Sequence, residues 1–310
     1  MNYKIFSGSS CEDFAKDIAK LCGTKLGKIE RKQFSCGENY IRFDETFRGE
    51  EIFLIQTGRT EFMNDDLIEL LLMIDAAKKS FAEKIHVIIP YFPYSRQDKI
   101  HAPREGISAK LFADLIERAG ADHVITLHFH AEQIQGFFSC PTDNLNPRKL
   151  FVDYLKNKNI KNGVVVSPDA GGAKSAKQYA NDLGVPLVIM HKQRPEHNVS
   201  EVTHVIGEVE GKTPIIIDDM IDTAGSVCAA KQALLSKGAN EDVYLCATHA
   251  VFSGDARKKL SQANFKEIVC TDSLPVPNPP TNYKVLSVTP LLAEVTKNIA
   301  EHKSVSGLYF

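Results

Sequence analysis

The sequence lacks the features that mark membrane, secreted and nucleic-acid-binding proteins. No apolar run approaches the roughly 18 residues that span a membrane. The basic residues form no long block, and the formal net charge is only −2. The first six residues do not have the layout of a signal peptide. We therefore predict neither a membrane nor a nucleic-acid partner.

The sequence also has no Cys-x-x-Cys pair, and its seven cysteines are scattered and odd in number. This distribution disfavours both a disulfide framework and a structural zinc site. Free thiols are typical of a reducing compartment, so we predict a cytoplasmic protein.

What is present indicates an α/β protein of two domains. The chain has 310 residues, of which 43% are apolar and 25% charged, as in ordinary globular proteins. Strand patterns alternate with helical patterns from end to end, which predicts mainly parallel sheets flanked by helices. The turn-rich stretch 143–148 predicts domains at 1–146 and 147–310. The last predicted helix, 290–301, is a candidate to pack back on the first domain.

The stretch 213–227 predicts a site for a phosphorylated sugar. Its apolar run 215–217 indicates a buried strand, which Asp218 and Asp219 follow directly. A small, hydroxyl-rich loop then opens a helix predicted over 227–236: Asp222, Thr223, Ala224, Gly225 and Ser226. Backbone N–H groups of such a loop can bind a phosphate, and carboxylates can accept hydrogen bonds from sugar hydroxyls. The alternative is a plain strand–turn–helix with a Thr or Ser N-cap.

This stretch resembles the phosphoribosyl-diphosphate-binding motif of type I phosphoribosyltransferases and ribose-phosphate diphosphokinases. The resemblance implies two tandem domains of the phosphoribosyltransferase-like fold. It also implies that the loop binds the 5-phosphate of ribose 5-phosphate. Asp218 and Asp219 would then hold the 2- and 3-hydroxyls.

A second apolar strand pattern, 164–166, ends in the acidic, glycine-rich turn around Asp169. Ligands of open α/β sheets bind at such carboxyl ends of strands. Asp169 could instead be the N-cap of the next helix, predicted over 173–183. The turn resembles the Pro-Asp-x-Gly-Gly turn of the same family, which implies that Asp169 contacts a metal or the ribose.

Two histidines follow the predicted strand 124–127. His128 and His130 are two residues apart, so a strand end would direct both to one side. The segment 130–138 resembles one that diphosphokinases carry and simple phosphoribosyltransferases lack, which implies that His130 contacts Mg-ATP. His128 stands where most family members have aspartate, a better ligand for Mg²⁺.

Two further segments resemble the ATP-binding segments of diphosphokinases. In segment 90–99 the resemblance implies that Arg96 and Gln97 contact ATP. Segment 34–38 is similar to the family's Phe-Ser-[Asp/Asn]-Gly-Glu, with Cys36 at the variable position. The implied ATP-binding residues of this segment, supplied to a neighbouring subunit, are Phe34, Cys36, Gly37 and Glu38. Because that role requires a second subunit, we expect a homo-oligomer, and relatives point to a hexamer built from dimers.

The stretch 192–199 resembles the catalytic flexible loop of diphosphokinases. The resemblance implies that Lys192 and Arg194 stabilise the transition state, and that Arg194 also binds ribose 5-phosphate. An exposed Lys-x-Arg can otherwise be a solvated loop. Candidate allosteric residues, also implied by the resemblance, are Arg48, Arg104 and Gln135.

The sequence is therefore identified as a member of the ribose-phosphate diphosphokinase family on segments distributed along nearly the whole chain. The resemblance implies transfer of a diphosphoryl group from ATP to ribose 5-phosphate, with Mg²⁺ as cofactor and Mn²⁺ as a substitute. The alternatives are a non-catalytic regulatory paralogue and a phosphoribosyltransferase.

Overall fold

The computed structural model describes residues 3–193 and 202–308, without the side chains of residues 192, 193, 202 and 203. These residues divide into two compact units. Unit 1 comprises those within 1–146, 272–275 and 287–310, and unit 2 comprises those within 147–271 and 276–286. The α/β fold with helix-flanked parallel sheets that the sequence predicts is confirmed.

Unit 1 is built on a parallel five-stranded sheet of order β1-β4-β5-β6-β7, beside a separate antiparallel hairpin, β2-β3. The strands are β1 (Tyr3–Ser7), β2 (Ile29–Gln33), β3 (Asn39–Phe43), β4 (Glu51–Ile55), β5 (Lys84–Ile89), β6 (His123–Leu127) and β7 (Thr142–Leu145). The helices are α1 (Glu12–Leu21), α2 (Met63–Lys79), α3 (Ser108–Ala119) and, late in the chain, α8 (Thr289–Ala300). A 3₁₀ helix spans Glu132–Phe137, and another spans Ser306–Leu308.

Unit 2 is built on a seven-stranded sheet of order β10-β9-β8-β11-β12-β13-β14, parallel except for β10. The strands are β8 (Gly163–Ser167), β9 (Leu187–Gln193), β10 (Val202–Ile206), β11 (Thr213–Ile221), β12 (Tyr244–Ala250), β13 (Glu267–Thr271) and β14 (Tyr283–Leu286). The helices are α4 (Arg148–Asn157), α5 (Ala173–Leu183), α6 (Gly225–Ser236) and α7 (Ala256–Ala263).

The apolar strand runs are continuous because both faces of the sheet in unit 2 are covered. Val164 and Ile216 belong to one buried cluster, whereas their strand neighbours Val165 and Ile215 belong to another. The alternation of side chains along a strand therefore supplies two cores from one apolar sequence. Among the described residues, no helix has the length and apolar character needed to cross a membrane.

The start of α2 differs from the sequence expectation. Asn64 precedes an apolar helical pattern, which predicts an N-cap there and a helix starting at residue 65, but α2 begins at Met63 and its N-cap position is Phe62. The Oδ1 atom of Asn64 instead accepts a hydrogen bond of 2.5 Å from the hydroxyl of Tyr94. A tertiary partner has replaced the local capping bond at this position.

A histidine at the amino end of β5 is buried within unit 1. The Nε2 atom of His86 lies 3.2 Å from Glu51, and its Nδ1 atom lies 3.1 Å from Nδ1 of His123. The ring also stacks on Phe53 with 4.5 Å between centroids. Burial, followed by the nearby His123, lowers the pKa of His86 to about 4, against the opposing effect of Glu51.

We expect His86→Gln to flatten the acid sensitivity of the fold. The unfolded chain binds a proton at an ordinary histidine pKa of about 6.5, whereas folded His86 does so only at about 4. Wild-type stability should therefore fall as pH drops through this window, by up to about 3 kcal/mol. Urea unfolding at pH 7 and pH 4.5 measures the loss. The control is His101→Gln at an exposed position, and equal losses in wild type and His86→Gln would refute the assignment.

Candidate active site

The acidic pair lies inside a central strand rather than after it. The predicted strand 215–217 is longer in the structure, because β11 continues through both Asp218 and Asp219 to Ile221. Strand β11 pairs in parallel with β8 on one side and with β12 on the other. Both carboxylates therefore occupy the carboxyl half of a strand flanked on each side, where ligands bind in sheets of this type.

The electrostatic environment of Asp218 disfavours its ionised form. The pKa of Asp218 is raised well above its usual range, first by desolvation, then by the neighbouring carboxylates of Asp219 and Asp169. The backbone N–H of Asp219 donates to Oδ1 of Asp218 at 2.9 Å, which opposes the shift only in part. A cation or a set of hydroxyl donors at this position would relieve the repulsion.

The loop after β11 presents an uncapped helix N-terminus. Helix α6 begins at Gly225, two residues before the predicted start, and its N-cap position is Ala224, with no side-chain cap bond. Ala224 has φ 60°, a left-handed conformation that is costly for a residue with a Cβ atom. Gly225 and Ser226 are exposed. The plain Thr/Ser cap is therefore not the arrangement found, and the first N–H groups of α6 are left for another acceptor.

A turn of similar character follows the adjacent strand β8. The Oδ1 atom of Asp169 accepts a hydrogen bond of 2.9 Å from the N–H of Gly172, which is itself the N-cap residue of α5. Asp169 therefore shapes the turn without being the N-cap. A Cβ atom on Gly172 would lie 3.0 Å from Oγ of Ser167, so a larger residue would crowd the turn. Since β8 and β11 are parallel neighbours, both turns lie at one edge of the sheet.

One side chain of this site was missed by sequence reasoning. The hydroxyl of Ser253, in the loop after β12, donates to Oδ1 of Asp222. The available signal was partial: the sequence pattern predicts a strand over 243–248, and the Ser253-Gly254 pair beyond it is typical of a turn, but nothing local places that turn beside Asp222.

The two predicted cationic residues, Lys192 and Arg194, lie where the described part of the chain ends. The apolar run 187–190 predicts a strand. In the structure this strand continues as β9 to Gln193 and pairs with the antiparallel β10, which the sequence did not predict. Lys192 therefore has a strand backbone, but its side chain lies outside the described residues, as does all of Arg194.

The segment 34–38 forms the exposed tip of the hairpin in unit 1. The N–H of Phe34 donates to the carbonyl of Glu38 at 2.8 Å, and Gly37 turns the chain with φ 93°. The ring of Phe34 is 53% exposed and packs edge-on against Tyr40. Cys36 and Glu38 are also exposed. An aromatic ring and a carboxylate are thus presented outward on a short projection.

Arg96 and Gln97 are exposed and precede α3. The hydroxyl of Ser108 donates a hydrogen bond to Oε1 of Gln97. The neighbouring Asp98 is buried, and its carboxylate accepts a hydrogen bond of 2.7 Å from Nε2 of Gln133. The segment is therefore anchored by Asp98, which leaves the polar groups before it at the surface.

The expected common direction of the two histidines assumes that the extended backbone of β6 continues beyond the predicted end of the strand. Strand β6 stops at Leu127, and His128 has φ 41°, outside strand geometry. Alternation along a strand does not apply there, so the predicted same-side placement was wrong in its reasoning. His130 is exposed and His128 is half-buried.

The three candidate allosteric residues have separate surroundings in unit 1. The guanidinium of Arg48 lies 4.2 Å from the centroid of Phe81, and Nε2 of Gln135 donates to the carbonyl of Thr142 at 2.6 Å. Arg104 is exposed, with φ 73°. An allosteric role for these residues stays a prediction.

Within the part of the chain that the structure describes, no group of three His, Cys, Asp or Glu side chains is arranged to hold a metal ion by itself. The repulsion around Asp218 nonetheless suits a hard cation with oxygen ligands. A metal here would complete its coordination with water and ligand oxygens, as Mg²⁺ commonly does.

Comparison with known proteins finds similarity to one enzyme family along nearly the whole chain. Residues 3–120 match the family described as the N-terminal domain of ribose phosphate pyrophosphokinase, and residues 143–285 match the phosphoribosyl transferase domain. The ribose-phosphate pyrophosphokinase of Wolinella succinogenes is 47% identical, with 99% of each chain covered. That of Bacillus subtilis is 45% identical, with 99% of this chain and 97% of the relative covered. The crystal structure of phosphoribosylpyrophosphate synthetase from Mycobacterium smegmatis superposes with a TM-score of 0.92 and 38% identity, covering 97% of this chain and all of that one. The chain belongs to the ribose-phosphate pyrophosphokinase family.

Proposed function

We propose that this chain transfers the diphosphoryl group of ATP to the C1 hydroxyl of D-ribose 5-phosphate. The C1 oxygen attacks the β-phosphorus, and the bond from that phosphorus to the α,β-bridging oxygen breaks. The products are 5-phospho-α-D-ribose 1-diphosphate and AMP, and the hydroxyl proton is released. The reaction supplies a precursor for nucleotide synthesis.

The acceptor site is the observation that carries this proposal. An uncapped α6 N-terminus follows a left-handed Ala224, and a crowded carboxylate pair lies a few residues earlier in β11. The first arrangement suits the 5-phosphate, because backbone N–H groups at a helix N-terminus attract anions. The second suits sugar hydroxyls, which can donate hydrogen bonds to Asp218 and Asp219. Both lie on one continuous stretch, so one small sugar phosphate can satisfy them together.

The transfer itself depends on positioning and charge neutralisation. A loose, in-line phosphoryl transition state spreads negative charge over its equatorial oxygens. Lys192 and Arg194 are assigned to neutralise that charge, with Arg194 also contacting ribose 5-phosphate. Chemistry of this kind also needs water to be excluded during the transfer and readmitted for product release.

We assign Mg²⁺, with Mn²⁺ as a substitute, to the phosphate oxygens of ATP, where it would neutralise charge when bound. His130 and Asp169 are the residues assigned to hold it, and oxygen from Asp169 is the more suitable donor for Mg²⁺. The crowded carboxylates around Asp218 support a cation in this region of unit 2.

ATP binding is assigned to Arg96, Gln97 and His130, together with the hairpin residues Phe34, Cys36, Gly37 and Glu38. The outward exposure of the hairpin tip supports its use by a neighbouring copy. The assembly proposed is a homo-oligomer, a hexamer built from dimers, and a monomeric mass by light scattering would contradict it. The seven unpaired thiols support the cytoplasmic location.

Formation of AMP tests the function directly. The purified chain, given ATP, ribose 5-phosphate and either Mg²⁺ or Mn²⁺, should form AMP and phosphoribosyl diphosphate in equal amounts. Omitting ribose 5-phosphate should abolish AMP formation. If neither metal supports AMP formation, the catalytic assignment is wrong and a regulatory paralogue is the better description.

A further inference from the structure

The loop that follows β12 is tied to the phosphate loop at three successive residues. The N–H of Phe252 donates to the carbonyl of Ile221 at 2.9 Å, and that of Ser253 donates to the carbonyl of Asp222 at 3.1 Å. The ammonium of Lys259, in α7, donates to the carbonyl of Thr223 at 3.3 Å. A segment about thirty residues away in sequence thus holds residues 221–223 from one side.

The side chain of Ser253 adds a bond of a different kind. Its hydroxyl donates to Oδ1 of Asp222, so it contacts the one carboxylate in the phosphate loop. A hydroxyl that donates to a carboxylate oxygen favours one orientation of that carboxylate. Ser253 therefore contributes to the direction in which the negative charge of this loop points.

That direction matters because Asp222 is close in sequence to an open helix N-terminus. Aspartate readily accepts hydrogen bonds from backbone N–H groups two or three residues ahead, and it is among the best helix caps. Two residues after Asp222, α6 has Ala224 at its N-cap position and no side-chain cap. A released Asp222 carboxylate would compete with a phosphate for the same N–H groups and would repel it.

We propose that Ser253 is a positioning residue for ribose 5-phosphate: it restrains Asp222 from capping α6 and so keeps the phosphate site open. The inference rests on the proposed function of the 222–226 loop. A positioning role for Ser253 and a purely structural role predict different effects of its removal on the stability of the fold. Self-capping would offset the lost hydrogen bond, so removal of the hydroxyl should weaken ligand binding without weakening the fold.

Ser253→Ala, measured by calorimetric titration with ribose 5-phosphate and by AMP formation, tests this inference. We expect Kd and KM for ribose 5-phosphate to rise about tenfold, the usual scale for a lost hydrogen bond to a charged group. The KM for ATP, kcat at saturation and Tm should stay near wild type. Ser253→Thr retains the hydroxyl and should restore affinity. The matched control is Ser236→Ala, at the exposed far end of α6.

The measurements on Ser253→Ala and on the wild type separate the positioning role of Ser253 from the proposed reaction. Unchanged affinity in Ser253→Ala, or a fall in Tm that accompanies weaker binding of both substrates, would overturn the positioning role. If the wild type binds ribose 5-phosphate but forms no AMP, the proposed reaction fails while the comparison of affinities still judges Ser253. If the wild type does not bind ribose 5-phosphate at all, both assignments fall.

Discussion

Lys192→Ala is expected to lower kcat by about three orders of magnitude while leaving the Kd for ribose 5-phosphate within a few-fold of wild type. A cation that contacts only the developing charge of the transition state contributes to turnover and little to ground-state binding. Single donors and cations of this kind account for roughly 10²- to 10⁵-fold in phosphoryl and acyl transfer. Steady-state kinetics and calorimetry separate the two quantities.

The control for this substitution is Lys161→Ala. Lys161 is exposed and precedes the amino end of β8, whereas the candidate site lies at the carboxyl end of the strands. Its removal should change neither kcat nor Kd appreciably. A loss of ribose 5-phosphate binding in Lys192→Ala would instead show that Lys192 supports the ground-state complex or the fold.

Asp218→Asn is expected to have opposite effects on stability and on ligand affinity. In the ligand-free protein, the substitution removes a charge that is desolvated and repelled by Asp219 and Asp169. We expect a gain of on the order of 1 kcal/mol in the free energy of unfolding near pH 7, the usual scale when a strained functional group is replaced. The same change removes an anionic acceptor for a ribose hydroxyl, so affinity for ribose 5-phosphate should fall by about 10²-fold.

The raised pKa of Asp218 also predicts how the stability of the wild-type protein changes with pH. Because the folded pKa of Asp218 is raised, the folded state holds a proton that the unfolded state releases near pH 3.8. Wild-type stability is therefore favoured at low pH and is lost as pH rises from about 3.8 through the raised pKa of Asp218. Asp218→Asn should lack this part of the slope.

Thermal unfolding of the ligand-free proteins across pH 4 to 9 measures the effect. Asp153→Asn is the matched control, since it removes an exposed carboxylate of α4 that pairs with Lys149. Equal or lower stability of Asp218→Asn at neutral pH would mean that the carboxylate is compensated in the folded state, contrary to the raised pKa.

The phosphate loop was predictable from sequence because its chemistry is local. A β-branched run, two adjacent carboxylates and a small, hydroxyl-rich turn are contiguous, so residue types alone indicated a sugar-phosphate site at 213–227. Similar local signals located the Asp169 turn, whereas segment 34–38 was identified only by its resemblance to the family. Boundaries were less accurate: pairing with β12 carries β11 to Ile221, beyond the apolar run.

Features that depend on partners far away in sequence were not predictable. The β-branched residues of 202–206 suit a strand, but only the pairing with β9 shows that this stretch joins the sheet as the antiparallel β10. Asn64 lost its expected capping role to a hydrogen bond from Tyr94, thirty residues later. The end of β6 at Leu127 agrees with the sequence pattern, but nothing local showed that the backbone turns at His128, where φ is 41°.

The sequence by itself determined the family, the α/β class and the identity of the residues around Asp218, Asp222 and Asp169, because these are carried by contiguous residue types. Only the tertiary structure showed that β8 and β11 are neighbours, that Asp218 is desolvated and repelled, and that the Ser253 hydroxyl donates to Asp222. The physical reason is that strand order, burial and side-chain hydrogen bonds join residues tens of positions apart. Their energies depend on distance in space, which a linear pattern does not contain.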